Sequence, residues 1–332
     1  MLVGCGNVII SANVIPVLMI EQIVSVDRVH MEAAQLKAYT DFACELASLA
    51  ATQILPYFRT SVDVENKGVS RASMSDSQIP DVTVPDSTKP PVNAFDPVTI
   101  ADKNAEMVMR KKIRDSFPDH GILGEECGLH VGDSGLTWVL DPIDGTRAFI
   151  TGLPMWGCLI ALFDGVEPVL GVMDQPFLGE RYIGTANTAY CLESRNFAAR
   201  VEGNKRRVDS RQELKTRDCT DLDDAVMMTT SPDMFKSKDE QSAFYRLAAA
   251  VRMHRFGGDC YAYCMLARGF VDLVVEAELQ PYDIQALIPI VEGAGGVISN
   301  WQGESARAGG QIVAAATPEL HRQVLARLRG TG

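Results

Sequence analysis

The stretch "WVLDPIDGTRAFI", Trp138 to Ile150, decides the fold and the chemistry expected of this chain. Its apolar start predicts a buried strand that delivers Asp141 at the point where the strand stops. Pro142 stiffens the turn, and Asp144 follows three residues after the first aspartate. The Gly and Thr that come next present unblocked backbone amides and a hydroxyl.

Two carboxylates at this spacing suit hard divalent cations, since Mg²⁺ prefers oxygen ligands. Two such ions about 3.5–4 Å apart can hold the attacking and leaving oxygens of a phosphoryl displacement. The alternative, that both aspartates only form turns or cap helices, explains one of them but not why both adjoin a long apolar strand. The D-x-D-G-T pattern of haloacid-dehalogenase-type phosphatases does not fit, because the two aspartates here are one residue further apart.

Composition bounds the class of protein. The chain has 332 residues, 46% apolar and 22% charged, as in ordinary globular proteins. Its formal net charge of −12 argues against a nucleic-acid surface and against polybasic membrane attachment. An anionic substrate stays open, because bound divalent cations reverse the local sign of charge. We expect a small-molecule phosphate ester as partner, with no nucleic acid and no membrane.

Cysteines, histidines and the N-terminus add three expectations. The eight cysteines form no C-x-x-C pair, so we expect buried thiols in a reducing compartment and a cytoplasmic protein. No histidine falls in a motif, which favours oxygen-ligated metals over zinc. The first twenty residues carry no charge and no basic segment, so 1–30 is predicted to be an N-terminal extension rather than a cleaved signal.

Apolar spacing divides the rest of the chain into helices and strands. Residues 31–58 are helical in pattern, with Pro56 expected to end or bend the helix, and 68–93 reads as a flexible insertion. A second helix begins at Thr99 or Asp102 and ends near Phe117. The remaining predictions are antiparallel strands in 157–193, helices at 241–252, 260–268, 284–293 and 318–328, and strands at 271–277, 295–300 and 311–316. Helices and sheets in alternate layers are the expected result.

Three separated blocks carry a resemblance to one family. They are "DPVTIADKNAE" with "GILGEE" (96–126), "WVLDPIDGTRAFITGLPMWGCLIAL" (138–162) and "PYDIQALIPIVEGAGGVI" (281–298). Their order and spacing resemble the inositol monophosphatase-like superfamily over about residues 32–328. The variant "DPIDGTRAFITG", with "GVMDQPFLGERYIG" downstream, looks like the histidinol-phosphate phosphatase branch.

The resemblance implies a layered α/β fold, an alternating α/β/α/β/α sandwich of the inositol monophosphatase and fructose-1,6-bisphosphatase type. It implies a catalytic domain over 31–332, with a metal-binding half at about 31–185 and a second half at about 186–332. Mg²⁺ is the implied cofactor, at two to three ions per site, and Mn²⁺ is an implied substitute. Sensitivity to lithium and a homodimer are implied as well.

The resemblance also assigns the metal ligands. Glu125, Asp141 and the carbonyl of Ile143 are implied to hold a first ion. Asp141, Asp144 and Asp283 are implied to hold a second. From the residues alone, Asp283 could instead be a helix cap after "QPY".

Catalytic roles follow from the same resemblance. Asp102 and the Thr146 hydroxyl are implied to orient the attacking water, with a third, weaker ion near Glu125 and Asp102. The amides of Gly145 and Thr146 are implied to bind phosphate oxygens. The neighbouring glutamates, Glu125 and Glu126, adjoin on what reads as an extended segment and would face opposite ways. The choice of Glu125 over Glu126 therefore rests on the resemblance. On sequence alone, Asp102 could be merely a helix cap.

Three residues carry the prediction of the substrate. Asp259 and Glu276 align with family positions that contact the alcohol part of the substrate, and both are acidic. A carboxylate there favours an ammonium-bearing leaving group such as histidinol, although two carboxylates could equally bind vicinal hydroxyls. Arg147 is assigned to the phosphate side or to pairing with a nearby acid.

We therefore predict a Mg²⁺-dependent phosphomonoesterase of histidine biosynthesis. It would hydrolyse L-histidinol phosphate to L-histidinol and phosphate by direct attack of a metal-activated water. The alternative enzyme is an inositol-1-monophosphatase or a broad-specificity sugar-phosphate phosphatase. From another class, the chain could be a catalytically weak binding or scaffold member of the fold, against which the intact set of acidic residues argues.

Overall fold

Two large β-sheets carry the fold. The computed structural model describes residues 31–60, 64–66, 97–194 and 208–330. The predicted N-terminal extension at 1–30 and the predicted insertion at 68–93 lie outside these residues. Two short antiparallel strands, β1 (Val64–Asn66) and β2 (Pro97–Thr99), form a third sheet.

The larger sheet has eight strands in the order β10-β9-β8-β7-β6-β5-β3-β4. Their bounds are β3 Gly121–Gly124, β4 Gly128–His130, β5 Thr137–Asp144, β6 Gly157–Phe163, β7 Pro168–Gln175, β8 Glu180–Thr185, β9 Thr188–Glu193 and β10 Ser210–Glu213. Neighbours run antiparallel except β3 and β5, which are parallel. The antiparallel strands predicted in 157–193 are confirmed as β6 to β9.

Two helices that pack on each other cover one face of this sheet, α1 (Ala33–Ile54) and α2 (Ile100–Ser116). Apolar residues of α1 recur at spacings of three and four from Tyr39 to its end, and they share a core with Trp138. The helix ends two residues before Pro56, whose nitrogen has no hydrogen to donate. It is therefore shorter than the predicted 31–58.

The smaller sheet has five strands in the order β12-β11-β13-β15-β14. Their bounds are β11 Val226–Thr229, β12 Met253–Phe256, β13 Leu273–Leu279, β14 Val297–Asn300 and β15 Gly310–Ala315. The sequence predicted the last three of these strands but missed β11 and β12. The reason is local: β12 is exposed along its whole length, and β11 is a short apolar run that periodicity cannot assign.

Helices fill the space between the sheets and cover the outer face of the smaller one. The inner helices are α5 (Asp259–Ala267), α6 (Pro281–Ile284) and α7 (Leu287–Gly293), and the outer ones are α4 (Lys238–Ala248) and α8 (Pro318–Arg329). The remaining helix, α3 (Thr146–Ile150), follows β5 directly. The layers therefore alternate α/β/α/β/α, which confirms the predicted fold class.

Two glycines allow the inner helices to approach the larger sheet. A Cβ on Gly171 in β7 would lie 1.9 Å from the carbonyl oxygen of Ala286. A Cβ on Gly184 in β8 would lie 2.3 Å from the backbone of Pro289. Since interiors are close-packed, a side chain at either position would force the helices away from the sheet.

The described cysteines and helices bear on the expectation of buried thiols and on the expectation that no membrane is a partner. All seven described cysteines are free; five are buried, as expected, whereas Cys44 is partly exposed and Cys127 is exposed. Among the described helices, none combines the length and the apolar character that crossing a bilayer would require.

Candidate active site

Strand β5 carries both aspartates of the opening motif. The strand runs to Asp144, three residues beyond its predicted end. Side chains alternate along a strand, so residues three apart would normally lie on opposite faces. Asp141 pairs with Leu159 and Asp144 with Gly157, so β5 contains one extra residue between the two pairs. This bulge brings both carboxylates to the same side, because it adds one residue to the alternation.

A third aspartate from the second half of the chain joins them. Asp141, Asp144 and Asp283 each offer an oxygen within 4.8 Å of the others, and we call them the aspartate cluster. Asp283 lies in the short helix α6, and its Oδ2 accepts a hydrogen bond from the amide of Gln280 at 2.7 Å. The side chain therefore caps the helix with one oxygen and faces the other two aspartates as well.

A second group of carboxylates consists of Asp102, Glu125 and Glu126, which we call the glutamate cluster. Its oxygens also lie within 4.8 Å of one another. Asp102 lies in the first turn of α2 and is only 1% exposed, so it is not a surface cap. The two glutamates lie on the turn between β3 and β4 rather than on an extended segment. The expectation that they face opposite ways is therefore wrong, because a turn lets both carboxylates reach one place.

Glu106 holds that turn, and sequence reasoning missed it. The side chain of Glu106 is fully buried, and its carboxylate accepts hydrogen bonds from the amides of Glu126 at 2.7 Å and Cys127 at 3.0 Å. Arg110 donates to the same carboxylate at 2.6 Å and also to the carbonyl of Gly128. A signal was present: both charged residues, four apart, lie on the buried face of α2, where apolar residues are expected.

Electrostatics connect the two clusters. The pKa of Asp141 is raised, first by burial and then by Glu125, Asp144, Asp283 and Asp102. Every one of these electrostatic neighbours is another carboxylate. Burying several negative charges together is costly unless cations compensate them.

The donor set therefore fits a hard divalent cation. It consists of carboxylate oxygens, and such ligands suit Mg²⁺ rather than zinc. The three residues assigned to the second ion come together, and Glu125 lies with Asp102, as assigned to the third. For the first ion, Glu125 is near enough to Asp141 to raise the pKa of that carboxyl. The carboxylate oxygen of Glu125, however, lies in the glutamate cluster with Asp102 and not in the aspartate cluster.

The residues after the second aspartate form a tight turn into α3. Gly145 has a left-handed backbone with φ of 81°, which favours glycine. The hydroxyl of Thr146 donates to the carbonyl of Ile143 at 3.1 Å. The hydroxyl and that carbonyl, both assigned to the site from sequence, are thus in direct contact.

Asp259 brings a carboxylate of the second half next to this turn. It is the first residue of α5, and the following amide, of Cys260, donates to Asp144 Oδ2 at 2.8 Å. A Cβ on Gly145 would lie 3.1 Å from both Cβ and Cγ of Asp259. Burial, with Asp144 and Glu276 nearby, raises the pKa of Asp259 to about 8, and Arg147 acts in the opposite direction. Asp259 is therefore partly buried beside the aspartate cluster, and the side chain of Arg147 is exposed.

Glu276 lies deeper than the sequence suggested. It is 2% exposed, and its Oε1 accepts hydrogen bonds from the hydroxyl and the amide of Thr230 at 2.6 and 3.0 Å. Its Oε2 accepts from the hydroxyl of Tyr263 at 2.9 Å. Burial raises the pKa of Glu276 to about 7. Both oxygens already have protein donors.

Comparison with known proteins agrees with this architecture. The model of the "Inositol monophosphatase family" matches residues 35–331. The chain is 41% identical over 243 residues to "Bifunctional phosphatase IMPL2, chloroplastic" of Arabidopsis thaliana. This match covers 70% of the chain and 65% of that protein, so the chain spans slightly under two thirds of the length of that relative. It is 33% identical over 241 residues to a "Histidinol-phosphatase" of Mycobacterium tuberculosis, covering 73% of this chain and 86% of that protein. An inositol monophosphatase structure from Zymomonas mobilis superposes with a TM-score of 0.68 at 33% identity, covering 90% of this chain and all of that one.

Proposed function

Because the chain belongs to the inositol monophosphatase family and is a phosphatase of that family, we propose that it is a Mg²⁺-dependent phosphomonoesterase acting on L-histidinol phosphate. The products would be L-histidinol and inorganic phosphate. The observation that carries the proposal is the position of Asp259, a partly buried carboxylate beside the aspartate cluster. Relatives named histidinol-phosphatase, at 32–33% identity, support it.

The argument for a cationic leaving group rests on charge. A buried carboxylate is costly when ionised and without a cation, and this is why the pKa of Asp259 is raised to about 8. An ammonium group placed against it would stabilise the ionised form and make a charge-assisted hydrogen bond. A neutral polyol offers no such compensation. We therefore expect Asp259 to favour an amino alcohol over a sugar alcohol.

The positions of the residues around the proposed phosphate site support the roles assigned to them. Divalent cations bound by Glu125 and the aspartate cluster would lower the pKa of water and withdraw negative charge from the phosphate. The Thr146 hydroxyl, whose hydrogen is donated to Ile143, keeps lone pairs to accept a hydrogen bond from the attacking water. Asp102 would orient the same water from α2. The amides of Gly145 and Thr146, at the start of α3, would bind phosphate oxygens.

The reaction would then be a single displacement at phosphorus. The water oxygen forms the new bond to phosphorus and loses a proton, while the bond to the alcohol oxygen breaks and the departing alkoxide takes a proton from water to leave as the alcohol. No covalent bond to the protein forms. Arg147, exposed beside Asp259, would limit how far the carboxylate is neutralised before substrate binds. The homodimer, the cytoplasmic location and lithium sensitivity stay predictions.

A second candidate function is inositol-1-monophosphatase, favoured by the 33% identity to the structure from Zymomonas mobilis. That substrate would use two acidic side chains to bind neighbouring hydroxyls. Both oxygens of Glu276 already accept hydrogen bonds from protein donors, whereas Asp259 lies directly beside the aspartate cluster. The arrangement therefore supports an ammonium more than a diol.

The test is phosphate release with Mg²⁺, comparing histidinol phosphate with inositol 1-phosphate. We expect kcat/KM for histidinol phosphate to be at least about tenfold higher, the equivalent of one charged hydrogen bond. A preference for inositol 1-phosphate would contradict the proposed substrate. No phosphate release from either ester, with metal titrated to millimolar levels, would contradict the proposal as a whole.

A further inference from the structure

Asp259 adopts a backbone conformation that needs support. Its φ is +43°, in the left-handed region that residues other than glycine seldom adopt. It follows two glycines, and Gly257 also has positive φ, at 80°. Such a conformation persists only where the surroundings hold it in place. The question is which groups hold Asp259 beside the aspartate cluster.

The amide of Asp259 donates to the hydroxyl oxygen of Thr230 at 3.0 Å. Thr230 follows β11 directly, so a residue of the smaller sheet supports the first turn of α5. The carbonyl of Thr230 also accepts from the amide of Gly257 at 2.9 Å. Thr230 thus binds the backbone on both sides of Gly258.

The Thr230 hydroxyl is in turn fixed by Glu276. The Thr230 hydroxyl donates its hydrogen to Glu276 Oε1 at 2.6 Å, and the backbone amide of Thr230 donates to the same oxygen at 3.0 Å. A hydroxyl whose hydrogen is committed in this way presents its lone pairs to the amide of Asp259. The hydroxyl of Tyr263 donates to the other oxygen of Glu276, so this bond does not involve Thr230.

We propose that Glu276 and Thr230 are positioning residues that act on the substrate through Asp259. Glu276 orients the Thr230 hydroxyl, Thr230 holds the Asp259 backbone, and the Asp259 carboxylate meets the amino-bearing part of the substrate. This replaces the sequence-based assignment of Glu276 as a direct substrate contact. It rests on the proposed function in one respect only, the ammonium on the leaving group.

The experiment compares Thr230→Val, Thr230→Ser and Tyr263→Phe in the full chain. Val keeps the shape but removes the hydroxyl, and Ser restores the hydroxyl. Tyr263→Phe is the matched control, because it removes a hydrogen bond to the same carboxylate but not the path to Asp259. Should Thr230→Val not fold, Thr230→Ala compared with Thr230→Ser asks the same question.

The first measurement, amide hydrogen exchange in peptides covering 257–262, does not depend on any substrate. Thr230→Val should raise exchange at the Asp259 amide by about tenfold or more, because the amide loses its acceptor. Thr230→Ser and Tyr263→Phe should leave it close to the parent. Unchanged exchange in Thr230→Val would overturn the positioning role.

The second measurement is kinetic. With histidinol phosphate, Thr230→Val should raise KM about tenfold and change kcat by less than about threefold, since ground-state orientation is lost while the metal site is intact. With inositol 1-phosphate, KM should change by less than about twofold. In an Asp259→Asn background, Thr230→Val should raise KM for histidinol phosphate by less than about a further twofold. The reason is that both substitutions remove the same interaction between Asp259 and the substrate. Equal losses on both substrates, or additive losses in the double variant, would overturn the proposal.

Failure of the proposed function would look different. It would appear in the parent enzyme, as a preference for inositol 1-phosphate before any substitution is made. Hydrogen exchange and the coupling between Thr230→Val and Asp259→Asn, measured on the preferred ester, would still decide the positioning role.

Discussion

Asp144 Oδ2 accepts a hydrogen bond from the backbone amide of Cys260 at 2.8 Å, across 116 residues of chain. Asp144 ends β5 of the larger sheet, and Cys260 lies in the first turn of α5 between the two sheets. One hydrogen bond therefore connects a member of the aspartate cluster to the residue after Asp259. The site forms only when the two halves of the chain pack together.

Asp141→Asn should abolish phosphatase activity. The substitution keeps the shape and the acceptor for the Ile143 amide but removes the charge at the centre of the aspartate cluster. Metal ions supply several kcal/mol of charge stabilisation in such reactions, so kcat/KM should fall by about 10³-fold or more. Phosphate release with Mg²⁺ measures the loss of activity, and Asp223→Asn, at an exposed position outside both carboxylate clusters, is the control. Activity near that of the parent would contradict the metal assignment.

Stability without metal should fall as pH rises. The pKa values of Asp141, Asp144 and Asp283 are raised by burial, and that of Asp259 lies at about 8 against an ordinary value of 3.8. A carboxyl with a raised pKa in the folded state contributes stability that is complete below its unfolded pKa and is lost as pH rises through the folded value. Metal-free protein should therefore melt lower at pH 9 than at pH 6.

Mg²⁺ should reverse that loss, because it binds the ionised carboxylates. The rise in melting temperature on adding Mg²⁺ should be larger at pH 9 than at pH 6, and Asp141→Asn should show little of it. Thermal melts at matched ionic strength measure both effects. An equal Mg²⁺ effect at the two pH values in the parent would refute the link between the raised pKa values and metal binding.

Glu106→Gln should weaken metal binding without contacting the metal. The carboxylate of Glu106 accepts hydrogen bonds from two amides of the turn between β3 and β4, which carries Glu125 and Glu126, and from Arg110. Loss of such supporting contacts typically lowers metal affinity about 10- to 100-fold. Calorimetric titration with Mn²⁺ measures the change. Glu45→Gln, which breaks a partly exposed ion pair with Lys112, should leave affinity unchanged.

Gly171→Ala should destabilise the fold rather than the chemistry. The added Cβ would meet the carbonyl oxygen of Ala286 at 1.9 Å, and backbone cannot move aside as a flexible side chain can. Overpacking of this kind should cost about 3 kcal/mol or more in the free energy of unfolding. Gly310→Ala is the control, with positive φ but open space, and should cost only about 1–2 kcal/mol. Urea denaturation distinguishes the two.

Asp259→Asn should change substrate preference. The variant keeps the shape but cannot pair with an ammonium, so KM for histidinol phosphate should rise about tenfold or more. Inositol 1-phosphate should be affected by less than about twofold. Steady-state kinetics on both esters measure the ratio. Equal loss on the two substrates would show that Asp259 does not recognise the amino group.

Local pattern in the sequence was enough to predict much of the fold. Capping residues predicted the start of α2, and the order of the elements predicted the alternation of layers. Apolar spacing predicted α1 and the antiparallel strands β6 to β9, because burial on one face imposes a regular spacing. It missed β12, whose four residues are exposed and carry no such spacing. It also began the next helix at Ile284, the last residue of α6, and missed the break before α7 begins at Leu287.

The candidate site divides in the same way. The D-x-x-D spacing was readable as a pair of carboxylates that suit a hard cation, whereas Asp283 was assigned to the site only through the family resemblance. That Asp141 and Asp144 share a side depends on one extra residue in β5, and this is visible only in the strand register. Glu106 was missed because its role depends on a turn twenty residues away.

The sequence by itself determined the layered architecture and the acidic identity of the site, because these follow from local spacing and side-chain chemistry. The family followed from the resemblance of three separated blocks in their order. Only the tertiary structure decided how those residues combine: Glu125 and Glu126 on one turn, Glu276 buried beneath Thr230, and Asp259 held beside Gly145. Contacts between residues far apart in the chain depend on register, on bulges and on the packing of layers. Periodicity along the chain carries no record of these.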